Sequence, residues 1–120
     1  MIIGIGVDIV ENSRFDSWTQ NRKKIERFFN SEELCHNDVI DAEFLASRFA
    51  AKEALVKAFG TGFRGISLTE IALVNDALGK PSFKLEGKIY EKWCALHKPT
   101  INVSISHEKK YSIAFVVLET

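Results

Sequence analysis

Cysteine is scarce in this chain: Cys35 and Cys94 are its two, far apart and with no CxxC or Cys/His pattern around them. That spacing builds neither a disulfide framework nor a thiolate zinc site. Proline is as sparse. Pro81 and Pro99 both fall between patterned segments, and no repeat, low-complexity tract or Pro/Gly/Ser linker divides the sequence. Net charge is absent too, with 16 Lys and Arg against 16 Asp and Glu, so no overall basic field gathers nucleic acid. Neither a Walker loop nor GxGxxG occurs; GIG at 4–6 and GTG at 60–62 are too short to stand for either, which argues against a nucleotide hydrolase. The opening MIIGIGVDIVE lacks a basic n-region and carries Asp8 inside its apolar run. It reads as neither a signal peptide nor a membrane span, and a reducing cytoplasm is the expected compartment.

What is present suits one domain over residues 1–120, with 46% apolar and 27% charged residues. A chain of this size hides roughly two thirds of its unfolded surface and needs no covalent staple. Residues 2–10 alternate as a strand, with Ile3, Ile5, Val7 and Ile9 on one face and Gly4, Gly6 and Asp8 on the other. From Asn12 the pattern turns helical, and Arg14 to Arg27 form a basic stretch. The next stretch is acidic, with Glu32, Glu33, Asp38, Asp41 and Glu43, and Ser31 and Asp41 read as N-caps. DAEFLASRFAAKEALVKAF, followed by Gly60, predicts a long central helix of about five turns. Ser67 to Val74 reads as a strand, NDALGK as a turn and PSFKLE as the returning strand. Gly87 to His97 has helical spacing, and TINVSISHE and YSIAFVVLE alternate about a second turn. Strands and helices do not alternate as βαβ units, so the expected class is α+β, a mainly antiparallel sheet packed on the long central helix.

Two acids stand out. Asp8 shares its strand face with two glycines, which leaves room for a ligand or for another backbone; a structural bulge with a hydrogen-bonded acid is the alternative. Glu53 emerges from an Ala-rich helix flanked by Arg48, Lys52 and Lys57, where an unpaired carboxylate is costly. An ordinary exposed i,i+4 pair of Glu53 with Lys57 is the alternative, ranked lower because Arg48 and Lys52 crowd the same predominantly apolar helix. An Asp on a strand and a Glu on a buried helix, with cations nearby, are oxygen ligands for a hard divalent ion carrying phosphates. His107 lies on the strand face of Ile101, Val103 and Ile105, where a structural hydrogen bond is the commoner role. Ser106 leaves the opposite face and forms no dyad with it.

GIGVDIVENSRF, RFAAKEALVKAFGTG, GKP and SISHEKKYSIAFVV occur in order and span the chain. In these motifs the sequence resembles the holo-[acyl-carrier-protein] synthases, the short bacterial type of 4'-phosphopantetheinyl transferase. The resemblance implies Mg²⁺-dependent transfer of phosphopantetheine from coenzyme A to a serine of apo-acyl carrier protein, in fatty acid biosynthesis. It implies that Asp8 and Glu53 hold the ion, with Lys57 completing the catalytic set and neutralising the diphosphate, and that Glu53 or a water it orients takes the serine proton. It further implies a coenzyme A groove lined by Arg48, Lys57, Gly79, Lys80, Pro81 and His107. The family is a homotrimer with active sites between subunits. The carrier's acidity suits a basic docking helix, with Arg14 as the contact that adjoins the first motif.

Overall fold

Helix α3 (Ala42–Phe59) is the element around which the rest is arranged. In the computed structural model, which describes residues 1–35 and 39–120, α3 runs for 18 residues and is buried around most of its circumference. Local chemistry sets both ends. The Asp41 carboxylate accepts the Phe44 amide at 2.8 Å, and Gly60 stops the helix in the left-handed region at φ 75°. Ala46, Ala50, Ala54 and Ala58 recur every four residues and are all buried, so one side of α3 is smooth enough for close approach.

Three antiparallel strands cover that side: β1 (Ile2–Glu11), β4 (Thr100–His107) and β5 (Tyr111–Glu119), in the order β1-β5-β4. The glycine face of β1 is the inner one. A Cβ on Gly6 would fall 1.9 Å from the Ala54 carbonyl oxygen, and one on Gly4 would fall 2.1 Å from that of Ala58. The room beside Asp8 is therefore taken by another backbone, that of α3. The aliphatic face turns outward, with Val7 opposite Phe115 and Ile9 opposite Ile113. Ile5 and Ile9 are each 61% exposed.

The remaining elements cover the other sides of α3. Strands β2 (Ile71–Asn75) and β3 (Pro81–Leu85) form a separate hairpin, and α4 (Gly87–Ala95) follows it. This is the α+β arrangement of antiparallel sheets on a long central helix that the sequence predicts. No helix among the described residues is long and apolar enough to cross a membrane.

Three local expectations change. The basic stretch is not one helix: a 3-10 turn (Asn12–Trp18) precedes α1 (Arg22–Phe28). Side chains three apart eclipse in a 3-10 turn, which brings Phe15 and Trp18 together on the core with ring centroids 5.0 Å apart. Phe15 is fully buried. The cap of α2 (Ser31–Cys35) is Asn30 rather than Ser31: its side chain accepts the Glu32 amide at 2.8 Å, and the Glu33 carboxylate accepts the Asn30 amide at 2.8 Å. Ser67 does not begin a strand. It makes a capping box with Glu70 around a 3-10 turn (Leu68–Glu70), so the strand starts only at Ile71. Asp38 of the acidic stretch lies outside the described residues.

Candidate functional site

The seating of α3 against the glycines of β1 brings together side chains about fifty positions apart. Lys57 donates to the Val7 carbonyl at 3.0 Å and to an Asp8 carboxylate oxygen at 3.3 Å. The partner of Lys57 is thus Asp8, on the neighbouring strand, and not Glu53 one turn back. Glu53 lies close enough to feel the same groups. Its carboxyl titrates above the usual range, chiefly through burial and then through the charge of Asp8, with Lys57 and Arg14 opposing. Asp8, Glu53, Lys57 and Arg14 therefore form one cluster of two acids and two cations. Arg14 stands at its rim, its guanidinium 4.8 Å from the Phe49 ring centroid, and not on a docking helix. The rest of the basic run is partly engaged: Arg22 pairs with Glu26 at 3.0 Å, and the Lys24 ammonium is 4.4 Å from the Trp18 ring centroid.

A second feature is a groove of about 480 Å³ between the first turns of α3, the β2–β3 turn and β4. Four residues expected there line it: Arg48, Gly79, Pro81 and His107. Lys80 and Lys57 are not among its walls, and Asp8 and Glu53 do not reach it either. Within one chain the acids and the groove are separate. Glu43 and Asn75, which sequence reasoning missed, are among the other polar residues that line it. His107 Nδ1 lies 3.0 Å from a Glu43 carboxylate oxygen, and an Arg48 Nη2–H donates to Asn75 Oδ1 at 3.2 Å. Burial lowers the Arg48 pKa, with Glu33 opposing; the group stays a cation at any ordinary pH.

Lys52 belongs to neither feature. It is fully buried, ion-paired with the equally buried Glu33, and it donates to the carbonyls of Leu68 at 3.2 Å and Phe28 at 3.5 Å. The second oxygen of Glu33 accepts the Leu73 amide at 3.1 Å. This pair pins α2 and the start of the hairpin to α3, so Lys52 is structural and not a spare cation near a ligand.

Residues 4–116 match the 4'-phosphopantetheinyl transferase superfamily. The holo-[acyl-carrier-protein] synthase of Treponema pallidum is 43% identical over 121 residues, covering 99% of this chain and 97% of that protein. The chain belongs to the holo-[acyl-carrier-protein] synthases. Among solved members of the family, the Neisseria meningitidis enzyme superposes with a TM-score of 0.85 at 38% identity, each chain fully covered. The Bacillus anthracis enzyme, solved in complex with CoA (3',5'-ADP), gives 0.81 at 36% identity, covering 100% of this chain and 98% of that one. The four motifs from which the family was read contribute to both features: GIGVDIVE and KEALVKA to the acid cluster, GKP and SISH to the groove.

Proposed function

We propose that this holo-[acyl-carrier-protein] synthase moves the 4'-phosphopantetheine arm of coenzyme A to a serine of an apo-acyl carrier protein, with Asp8 and Glu53 sharing one Mg²⁺. The observation that carries the residue assignment is the Lys57–Asp8 contact where α3 crosses β1, with Glu53 within electrostatic reach of both and of Arg14. The donor set suits that ion. Both acids are hard oxygen ligands on rigid elements, and among the described residues no third His, Cys, Asp or Glu joins them. Mg²⁺ is commonly held by one or two carboxylates, keeping its other positions for phosphate oxygens and water.

When bound, the ion supplies Lewis acidity at the pyrophosphate of coenzyme A. The serine Oγ attacks the β-phosphorus; a new P–O bond forms as the bond from that phosphorus to the bridging oxygen breaks. Adenosine 3',5'-bisphosphate leaves with the electron pair. Glu53, or a water it orients, accepts the serine proton. Lys57, tethered to β1, offsets the charge that grows on the leaving phosphate. Arg14 at the rim meets the acidic carrier.

The groove takes the remainder of coenzyme A, with Arg48 and His107 toward phosphate or adenine and the turn at Gly79, Lys80 and Pro81 beside them. Because acids and groove are apart on one chain, a complete site joins two copies in a homotrimer. The outward aliphatic face fits that role: Ile5, Val7, Ile9, Ile113 and Phe115 are 40–61% exposed and contiguous across β1 and β5. Lys57 borders this face, together with Ile5, Val7 and Phe115, so a second copy packed there reaches the acids.

The test is a mass measurement on apo-carrier incubated with coenzyme A and Mg²⁺, with a chelator control. Wild type adds the phosphopantetheine mass, and Glu53→Gln adds none. At coenzyme A well below its KM, mixing inactive Glu53→Gln with weakly binding Arg48→Ala then raises activity above that of Arg48→Ala alone, because some interfaces pair an intact acid cluster with an intact groove. No gain on mixing, after refolding the two together, rules out sites shared between copies; normal turnover by Glu53→Gln removes the metal assignment.

A further inference from the structure

We propose that Asn75 is a positioning residue for coenzyme A, fixing the Arg48 guanidinium and the β2–β3 turn relative to each other; this rests on reading the groove as the coenzyme A site. One amide does both. Its Oδ1 accepts from Arg48 at 3.2 Å, and its Nδ2 donates to the Gly79 carbonyl at 3.0 Å. Oxygen toward the cation and nitrogen toward the carbonyl is the one amide orientation that satisfies both neighbours. Arg48 sits on α3 and Gly79 in the turn, so the Asn75 side chain ties two elements that face each other across the groove wall.

The strand register shows why the turn needs this bond. Asn75 and Pro81 are the last paired residues of the hairpin. No backbone hydrogen bond joins this pair: bonded and unbonded rungs alternate in an antiparallel ladder, and the bonded one is the next, where the Asp76 amide donates to the Lys80 carbonyl at 3.0 Å. Asp76 holds the inside of the turn, its carboxylate accepting the amides of Leu78 at 2.8 Å and Lys80 at 2.9 Å. The Asn75 amide adds the link from the strand end to Gly79.

On the other side, Arg48 has little else to set its angle. Among the described residues its Nε is buried without a hydrogen-bond partner, and the guanidinium carbon lies 4.0 Å from the Phe44 ring centroid. A cation over a ring face is held in place but not in orientation; a hydrogen bond to one Nη supplies the direction. A planar fork recognises phosphate only when its N–H groups point the right way. Without Asn75, binding must order the guanidinium as well as pair it. Asn75 itself is exposed, so no core packing depends on it.

The test measures steady-state kinetics of Asn75→Ala, Arg48→Ala and the double variant, varying coenzyme A and carrier separately. Asn75→Ala should raise KM for coenzyme A about fivefold, the scale of one ordinary intramolecular hydrogen bond, with kcat and KM for the carrier unchanged. Arg48→Ala should raise it further, and adding Asn75→Ala to Arg48→Ala should change it less than about twofold, the signature of one residue acting through the other. A general loosening of the hairpin would instead add the same factor in both backgrounds, which overturns the proposal. So does an Asn75→Ala enzyme with unaltered KM while Arg48→Ala raises it. If Arg48→Ala leaves KM for coenzyme A unaltered, the groove is not the coenzyme A site, and both the proposal and the reading beneath it fall.

Discussion

Alanine at position 6 removes no functional group, yet it should disable the enzyme. The added Cβ would sit 1.9 Å from the Ala54 carbonyl oxygen and 2.8 Å from the Ala58 nitrogen, both backbone atoms of α3 that cannot swing aside as a side chain would. Restoring an ordinary contact of 3.4 Å requires α3 or β1 to retreat by about 1.5 Å at this point. Overpacking of this kind costs about 1–3 kcal/mol and more against rigid backbone. Restriction of the unfolded chain returns about 0.4–1 kcal/mol. A net loss of about 2–3 kcal/mol is a large part of a domain stability of about 5–15 kcal/mol, and it should lower Tm by roughly 10 °C. The larger effect is on catalysis. Glu53 adjoins Ala54 and Asp8 lies two residues beyond Gly6, so the retreat opens the acid cluster itself, and a misplacement of about 1 Å can cost ~100-fold in rate. Gly60→Ala is the control. Nothing lies within 4 Å of its Cβ, but φ is 75°, so it loses about 1–2 kcal/mol through the left-handed conformation alone. Urea unfolding and kcat on the folded enzyme separate the two variants: both lose stability, and Gly6→Ala alone loses kcat. A Gly6→Ala enzyme with wild-type kcat, or a Gly60→Ala enzyme that loses kcat as steeply, refutes the argument that the close β1–α3 contact sets the site.

In metal-free buffer Glu53→Gln should be more stable than wild type near neutral pH. The carboxyl titrates higher in the fold than in the unfolded chain, so the folded state holds its proton more tightly; stability falls as pH rises through that window, and the loss persists above it. The advantage of the variant should close toward about pH 4 in thermal melts with chelator, and a wild type as stable as the variant at neutral pH contradicts the strained-acid reading. Arg14→Gln, chosen because Glu would add a third carboxylate beside Glu53, should raise KM for the carrier several-fold with KM for coenzyme A unchanged; equal shifts in both remove the docking role. Lys52→Met takes the Lys52 ammonium away from the buried Glu33 carboxylate and should lower unfolding free energy by about 3–5 kcal/mol. A loss below about 1 kcal/mol in urea titrations would mean the pair contributes little.

What the sequence reveals here follows the range of the interaction. Helix α3 is legible because its determinants are local: Asp41 and Gly60 cap it, and alanine fills its sheet-facing side. Strands β4 and β5 alternate plainly, and Asp8 and Glu53 stand out because each is an acid in an apolar or small-residue setting. The Glu33–Lys52 pair left no comparable trace. Its partners come from separate helices, and either residue alone looks like part of a charged stretch, so in the sequence Lys52 reads as one more cation beside Glu53. The faces of β1 show the same limit more sharply. Alternation divides Gly4, Gly6 and Asp8 from Ile3, Ile5, Val7 and Ile9, but cannot say which set meets the core, because that depends on how closely the covering helix can approach. A helix faced with alanine needs glycine opposite it, and this sends the isoleucines outward and draws the acids together. The same choice that assembles the acid cluster therefore also creates an apolar face bordering it. On the proposed function, packing that face on a second copy whose groove supplies the other half of the site would meet both requirements at once.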